Sequence, residues 1–323
     1  MERVAVRLAL ALFSALFSTA VLAQAYPTKP VKIVVPFPPG GATDVIARAV
    51  AERLQAVFNK PVIVENKAGA SGNIGVADVV RSAPDGYTLV MGAAQTLTIN
   101  HQLFKNMTFL PQRDLAPIAV VASVPNVLVV ANRIPVRNLQ EFIALVKANP
   151  GKFSSGSSSI GGTPHLTLEM FKSTTGTSIV HIPYKGSAPS LQDLAGGQIE
   201  MMFDNLPAAL PLINGGRIKA IGVTTLKRSA SAPDIPTFDE MGLKGFESQG
   251  WFGLLAPAGT PTPILERINT EVNKMIATQE FRDRLIKAGA DPVGGSIDDF
   301  KVRLKSETER WGRIIKSADV KVE

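Results

Sequence analysis

Two glycine-rich loops carry the residues whose types and spacing suit the binding of an anion. The first loop covers residues 36–44, with the sequence PFPPGGATD, and the second covers residues 157–165, with the sequence SSSIGGTPH. Each loop follows a short strand-like run and precedes a helical pattern. Adjacent glycines let the backbone come close to a ligand, and the N–H groups at the start of a helix attract negative charge. The sequence therefore predicts two anion-binding helix starts.

Polar side chains in the loops extend this prediction. Thr43 or Asp44 can cap the helix after the first loop, and Pro164 suits the first turn of the helix after the second. Residues 157–159 are serines, and with Thr163 they supply hydroxyl donors. If the loops lie in different lobes, their facing helix starts suit a molecule with two carboxylates. The alternative is that both are ordinary strand-to-helix turns, as every α/β protein has.

Further polar positions follow predicted strands. Residues 93–96 (AAQT) either line the same cleft or form a plain loop, and residues 184–186 (YKG) either cover a ligand or form a surface turn. Asp204 ends a strand, where it can accept a hydrogen bond from a ligand amine, hydroxyl or water, or cap the next helix. His165 lies in the first turn of its helix. It either contacts the ligand or forms a hydrogen bond with neighbouring residues at the helix end.

The elements that position these loops follow from hydrophobic periodicity. Residues 31–35, 61–65 and 87–91 are predicted strands, and residues 43–58 and 76–81 are predicted helices. This β-α-β-α-β order predicts a parallel sheet with crossover helices.

The pattern continues to the end of the chain and predicts two α/β lobes. Residues 115–122 and 126–131 are two apolar, strand-like runs near the middle of the chain. One lobe is predicted to combine residues 26–122 with 251–323, and the other to cover residues 123–250. Two chain crossings, near residues 122 and 250, would join the lobes and leave a cleft between them, which is a favoured place for small-molecule sites.

The first 25 residues have the pattern of a secretory signal peptide. Arg3 and Arg7 precede an uncharged apolar stretch over residues 8–23, and the small residues Ala23 and Ala25 offer cleavage sites. The stretch is too short to span a bilayer core. We therefore expect an exported chain that is periplasmic in a bacterium, cleaved near Ala23 or Ala25.

Composition excludes several classes of protein. The 323 residues contain no cysteine, which excludes disulfides, thiolate metal sites and a lipid anchor attached through a thioether. The net charge is +7, or +6 without residues 1–25, and the basic residues are scattered. A scattered excess predicts a solvated basic surface that can attract small anions. No nucleic-acid motif is present, so we expect no nucleic-acid partner.

The sequence lacks several common catalytic motifs, which favours a binding protein over an enzyme. The three histidines form no H-E-x-x-H motif, and no G-x-S-x-G or phosphate-binding G-x-x-x-x-G-K-[ST] motif occurs. Residues 69–75 (GASGNIG) partly match the glycine-rich loop of dinucleotide-binding proteins, but the spacing of their glycines differs from that motif. We expect no metal and no cofactor. A hydrolase using a loop serine with His165 or His181 stays the less favoured alternative.

Several stretches together resemble the Bug-type (TctC-like) periplasmic receptors of tripartite tricarboxylate transporters. The matching stretches are residues 33–44 (IVVPFPPGGATD), 65–75 (ENKAGASGNIG), 83–89 (APDGYTL), 157–165, 182–186 (IPYKG), 196–204, 236–242 (PTFDEMG) and 250–258. Their order and spacing cover almost the whole mature chain.

The resemblance implies an α/β, two-lobed type II periplasmic-binding-protein fold, each lobe a mixed sheet flanked by helices, with the ligand in the interlobe cleft. It implies a receptor for a small organic acid that passes its ligand to membrane subunits of the transporter. A sensor kinase is an alternative membrane partner, and we expect a monomer. The predicted ligand-binding residues are Phe37, Gly40, Gly41, Ala42, Asp44, Gln95, Thr96, Ser158, Ser159, Gly162, Thr163, His165, Tyr184, Gly186 and Asp204.

Overall fold

Strands and helices alternate along most of the chain, as the hydrophobic pattern predicts. The computed structural model describes residues 26–317 and 320, so the predicted signal peptide lies outside the described residues. The strands are β1 (Val31–Val35), β2 (Val62–Asn66), β3 (Thr88–Ala93), β4 (Leu115–Ala131), β5 (Phe153–Ser157), β6 (Ile179–Pro183), β7 (Met201–Asn205), β8 (Ile218–Val223), β9 (Gln249–Pro257) and β10 (Asp291–Pro292).

Helices connect and cover these strands. They are α1 (Ala42–Phe58), α2 (Asn73–Val80), α3 (Asn100–Leu103), α4 (Pro111–Asp114), α5 (Leu139–Ala148), α6 (Thr163–Thr175), α7 (Ser187–Ala195), α8 (Leu206–Asn214), α9 (Thr262–Ala277), α10 (Gln279–Lys287) and α11 (Ile297–Ser317). A wide turn of π-helix, Gln95–Ile99, leads into α3. Within the described part of the chain, no helix has the length and apolar character needed to cross a membrane.

The strands form one mixed sheet in the order β2-β1-β3-β9-β4-β7-β5-β6, with β8 and β10 also paired to β4. Strand β1 is parallel to β2 and β3, and β5 is parallel to β6 and β7. Strand β9 is antiparallel to both β3 and β4. Three antiparallel pairings separate β1 from β5, so these two strands run in opposite directions. The carboxyl ends of β3 and β7 both lie beside the middle of β4, near Ala122 and Asn126. The loops after β1 and β5, which belong to the same two parallel groups, can therefore approach one ligand from opposite sides.

Strand β4 corrects one prediction. The runs 115–122 and 126–131 are not separate strands, because β4 is continuous over 17 residues. Ser123 and Pro125 interrupt the apolar pattern, but the backbone stays extended since Ser123, Val124 and Pro125 pair with Trp251, Gly250 and Gln249. The first part of β4 pairs with β9, and the last part pairs with β7 and β8.

Two large hydrophobic cores lie along this sheet. The first packs α1, α9 and α10 against β1, β3, β9 and the first part of β4, and the second packs α5, α6, α7 and α8 against the last part of β4, β5 and β7. Along β4 the change from one core to the other falls between Val124 and Val127. The lobe boundaries stay a prediction.

A smaller apolar cluster joins elements of both cores beside the cleft. Trp311 of α11 packs with Ile99 and Leu103 of the first half of the chain and with Leu166 of α6. Trp311 is wholly buried, so the cluster fixes the wide turn at residues 95–99 against the start of α6. This contact positions one side of the site described next.

Candidate ligand-binding site

A small cavity lies where the two glycine-rich loops and β9 meet. It is lined by Phe37, Pro38, Gly41, Ala42, Thr43, Ala93, Ala94, Gln95, Ser158, Thr163, Pro164, Gly186, Ser187, Asn205, Gly250, Trp251 and Phe252. The space that can hold the centre of a water molecule is about 50 Å³, several times the ~10–15 Å³ that one water requires. None of these lining residues is charged, so a charged ligand would be met by backbone N–H groups and hydroxyls.

Helix α1 begins at the cavity without a side-chain cap. Its N-cap residue, Gly41, has extended backbone angles, φ −82° and ψ 168°, and accepts the first helical hydrogen bond from the N–H of Val45 at 3.1 Å. The N–H groups of Ala42, Thr43 and Asp44 therefore have no acceptor within the helix. The prediction that Thr43 or Asp44 caps α1 is wrong, which leaves these donors available to a ligand.

The carboxylate of Asp44 instead holds the first loop in place. Its Oδ2 accepts hydrogen bonds from the N–H of Gly40 at 3.1 Å and from Nε of Arg48 at 3.0 Å, and its Oδ1 accepts from Nδ2 of Asn66 at 3.0 Å. The same Asn66 amide donates to the carbonyl of Phe37 at 3.1 Å. Gly40 has a positive φ of 84°, a conformation that favours glycine. Asp44 thus fixes the loop and does not line the cavity.

Replacing Asp44 with alanine is expected to loosen this loop. We expect a loss of about 1–3 kcal/mol in the free energy of unfolding, because the N–H of Gly40 and the amide of Asn66 lose their acceptor, and a weaker ligand affinity. The measurement is urea unfolding beside ligand titration. The exposed Asp298, which pairs with Lys301 on α11, gives the control Asp298→Ala, for which we expect a loss below about 1 kcal/mol. Equal losses in the two variants would contradict this role.

Helix α6 also begins at the cavity without a side-chain cap. Its N-cap residue, Gly162, has extended backbone angles, φ −64° and ψ 157°, and Pro164 lies in the first turn as predicted. Gly161, with φ 76°, turns the chain into the helix. Thr163 and Ser158 line the cavity from this loop. The two helix starts therefore contribute to one cavity.

Gln95 links the second loop to the wide turn after β3. Its Nε2 donates to the carbonyl of Ile160 at 3.0 Å, and its Oε1 accepts from the hydroxyl of Ser159 at 2.9 Å. The hydroxyl of Ser71 donates to the same Ile160 carbonyl at 3.1 Å. The predicted residue Gln95 lines the cavity, whereas the hydroxyl of Ser159 is used to hold the loop.

His165 supports the second loop from behind the cavity. Its Nδ1 accepts a hydrogen bond from the N–H of Gly161 at 3.0 Å, and its ring stacks on that of His181 with centroids 3.9 Å apart. Nε2 of His181 lies 2.6 Å from the hydroxyl oxygen of Ser157. Burial lowers the pKa of His165 to about 4 and that of His181 to about 3, with the neighbouring His165 ring lowering the latter further. Both rings are neutral near pH 7.

This burial predicts a specific pH dependence of stability. An unfolded His165 has a pKa of 6.5 and a folded one about 4, so the unfolded chain binds more protons between these values. Stability from His165 is therefore complete above pH 6.5 and is lost as the pH falls toward 4, by up to about 1.4 kcal/mol per pH unit. We expect His165→Gln to reduce the slope of unfolding free energy against pH by this amount in that window. An unchanged slope would contradict a buried neutral His165.

The remaining predicted residues surround the cavity or its entrance. Thr96 is buried and donates to the carbonyl of Ala93 at 3.1 Å. Tyr184 donates to Asp193 at 2.7 Å and lines an outer groove that Phe37, Pro38, Ser158 and Gly186 share with the cavity. Gly40, Asp44, Thr96, Ser159, Gly162, His165, Tyr184 and Asp204 are outside the cavity lining. Their contact with a ligand stays a prediction.

Other lining residues are not among the predicted ligand-binding residues, although Ala93 and Ala94 belong to the stretch 93–96, for which the sequence offered either a cleft lining or a plain loop. They are Pro38, Thr43, Ala93, Ala94, Pro164, Ser187, Asn205, Gly250, Trp251 and Phe252. Ser187 and Asn205 directly follow the predicted residues Gly186 and Asp204. Their positions in the sequence could therefore have identified them as candidate ligand-binding residues. Trp251 and Phe252 belong to an apolar strand, and only the fold reveals that β9 reaches the cleft.

Comparison with known proteins identifies the family of this chain. Residues 46–320 match the model of the tripartite tricarboxylate transporter family receptor, TctC. The chain belongs to this family. It is a solute-binding receptor, and the family is not one of enzymes. The chain is 35% identical to protein BugT of Bordetella pertussis over 94% of its own length and 93% of BugT. These matches confirm the resemblance seen in the sequence.

Solved structures confirm the two-lobed α/β periplasmic-binding-protein fold. The structure of Rpa4515 of R. palustris with adipate has a TM-score of 0.90 and 38% identity, covering 92% of this chain and 99% of that protein. MatC of Rhodopseudomonas palustris with bound malate has a TM-score of 0.84 and 29% identity, covering 90% of this chain and 100% of MatC.

Proposed function

We propose that this receptor captures a small carboxylate in the cavity between the starts of α1 and α6. The observation that carries the proposal is the convergence of two helix starts without side-chain caps on one cavity with uncharged lining residues. Charge-assisted hydrogen bonds from such N–H groups contribute about 1.5–3 kcal/mol each, so a few of them give micromolar affinity without a buried cation.

The related structures support the ligand class. Rpa4515 was solved with adipate and MatC with malate, and both acids carry two carboxylates. In this chain one carboxylate would be bound by the N–H groups near Gly41 and Thr163. The remainder of the ligand would extend toward Gln95 or toward the outer groove at Tyr184.

We further propose where the receptor works and with what. Residues 1–25 act as a signal peptide cleaved near Ala23 or Ala25, which delivers a monomer to the periplasm. There the two lobes, residues 26–122 with 251–323 and residues 123–250, close on the acid. Closure presents the bound acid to membrane subunits of a tripartite tricarboxylate transporter.

A ligand screen tests the proposal. Receptor that has been unfolded and refolded to remove carried ligand is melted with adipate, malate, other carboxylic acids, sugars and amines. A ligand present at 100 times its dissociation constant stabilises the folded state by about 2.7 kcal/mol, so at least one acid is expected to raise Tm. Mass spectrometry of the denatured preparation identifies any acid carried through purification. Stabilisation by sugars or amines alone would contradict the proposal.

A further inference from the structure

Asp204 has a buried carboxyl oxygen without a partner directly behind the cavity. The residue is completely buried at the end of β7. Its Oδ1 accepts hydrogen bonds from the hydroxyl of Ser187 at 3.0 Å and from the N–H of Asn205 at 2.9 Å. Its Oδ2 is buried and has no hydrogen-bond partner among the described residues. Buried polar atoms rarely lack a hydrogen-bond partner, so the missing partner of Oδ2 needs a physical explanation.

The two residues that bind Oδ1 also line the cavity. Ser187 is the first residue of α7, and Asn205 is the N-cap residue of α8. The carboxyl group of Asp204 is therefore separated from the cavity by only these two residues. A ligand carboxylate in the cavity and an ionised Asp204 would be two negative charges on either side of them.

The elements around Asp204 offer little charge to offset a second anion. Helix α8 and strands β4 and β5 contain no titratable side chain. Helix α7 carries only Asp193, which is bound to Tyr184. Helix α6 carries His165, Glu169 and Lys172, but it packs through Phe171 and Phe203 against the other face of β7, because successive strand residues face opposite sides.

Burial and nearby charge together set the protonation state of Asp204. Burial raises the pKa of Asp204 to about 7, with the Asn205 N–H and the Ser187 hydroxyl acting in the opposite direction. Asp204 is thus close to half protonated at neutral pH before any ligand binds. A bound anion nearby disfavours the ionised form further, because two close carboxylates in a buried site do not both ionise readily.

We propose that the receptor captures a carboxylate together with one proton, which Asp204 takes up on Oδ2. The proton comes from solvent, and no bond in the ligand changes. This inference rests on the proposed function, since it requires an anionic ligand in the cavity. Its consequence is that affinity falls as the pH rises above neutrality, although the ligand itself stays fully ionised there.

Calorimetry with adipate tests the inference on the wild-type receptor. Titrations in two buffers of different ionisation enthalpy give the number of protons taken up per ligand. We expect close to one proton at about pH 8 and few at about pH 6, and a dissociation constant that increases about tenfold per pH unit above pH 7.

Two variants separate Asp204 from other causes. Asp204→Asn keeps an acceptor for Ser187 and Asn205 but cannot take up a proton, so we expect no uptake and a dissociation constant independent of pH. Asp239→Asn, on a surface segment where Asp239 binds Lys244 and Gly245, is expected to behave like the wild type.

The outcomes distinguish this inference from the proposed function. Adipate binding by the wild type without proton uptake overturns the inference and leaves the proposed function intact, and this readout needs no variant to fold. Uptake that persists in Asp204→Asn also overturns the inference. If adipate does not bind, the same titrations are run with the carboxylic acid that raises Tm most in the screen. If no carboxylic acid of the screen binds at either pH, the proposed function fails, and this inference fails with it.

Discussion

Replacing Gly41 with valine is expected to weaken binding of a carboxylate by about 100-fold, or about 2.7 kcal/mol, while the free energy of unfolding falls by only about 1 kcal/mol, because valine is a poorer N-cap residue than glycine. A Cβ at Gly41 meets only the carbonyl oxygen of Pro38, at 3.9 Å, and the backbone there is extended. Valine adopts such angles readily. Its branched methyl groups would stand over the uncapped N–H groups of Ala42 and Thr43, where the ligand carboxylate is proposed to lie.

Two control variants make this result interpretable. Gly41→Ala adds one methyl group and is expected to weaken binding less than valine does. Ala56→Val places the same side chain on an exposed position of α1, far along the helix from the cavity, and is expected to leave affinity unchanged. Titration calorimetry and thermal melts check both properties. A Gly41→Val receptor that folds and binds its acid normally would contradict recognition by these backbone amides.

The second large effect is expected at Gly75, and it concerns stability. A Cβ at this position would lie 2.6 Å from the carbonyl oxygen of Lys67 and 2.8 Å from Cα of Pro36. Both are backbone atoms, so no side-chain rotation relieves the clash. Helix α2 would have to move away from the end of β1, where the first loop begins. We expect Gly75→Val to cost about 3 kcal/mol or more in unfolding free energy.

Urea unfolding of Gly75→Val measures this cost. Ile74→Val is the matched control, because Ile74 is its neighbour on α2 and is 54% exposed, so we expect a change below about 0.5 kcal/mol. A Gly75→Val receptor as stable as the wild type would contradict the close packing. The result bears on the GASGNIG motif, whose last glycine serves helix packing in this structure.

The sequence was most informative where structure depends on local patterns. Helix α1, strand β1 and the loop between them follow from a β-branched run, two adjacent glycines and helical spacing of apolar residues. The two helix starts were therefore predictable. The state of their caps was not, because the side chain that would cap α1, Asp44, is used by Asn66, which is 22 residues away in the chain.

The supporting contacts depend on tertiary structure and could not be read from spacing. His165 lies on α6, the helix that leads from β5 to its parallel neighbour β6, and His181 lies on β6. The two rings stack because of the way α6 packs beside β6, which the sequence alone does not establish. Gln95 reaches the second loop because a wide π-helical turn follows β3. Sequence reasoning therefore found the loops that form the cavity but could not separate residues that line it from residues that hold the loops.

The most direct test of the central claim is an amide NMR titration of ligand-free receptor with adipate. Binding through the starts of α1 and α6 predicts that the largest shifts of N–H signals occur at Gly41, Ala42, Thr43 and Thr163. Saturable binding with these signals unmoved, and the largest changes in the groove between Leu115 and Leu304, would contradict the claim that two helix starts capture the acid.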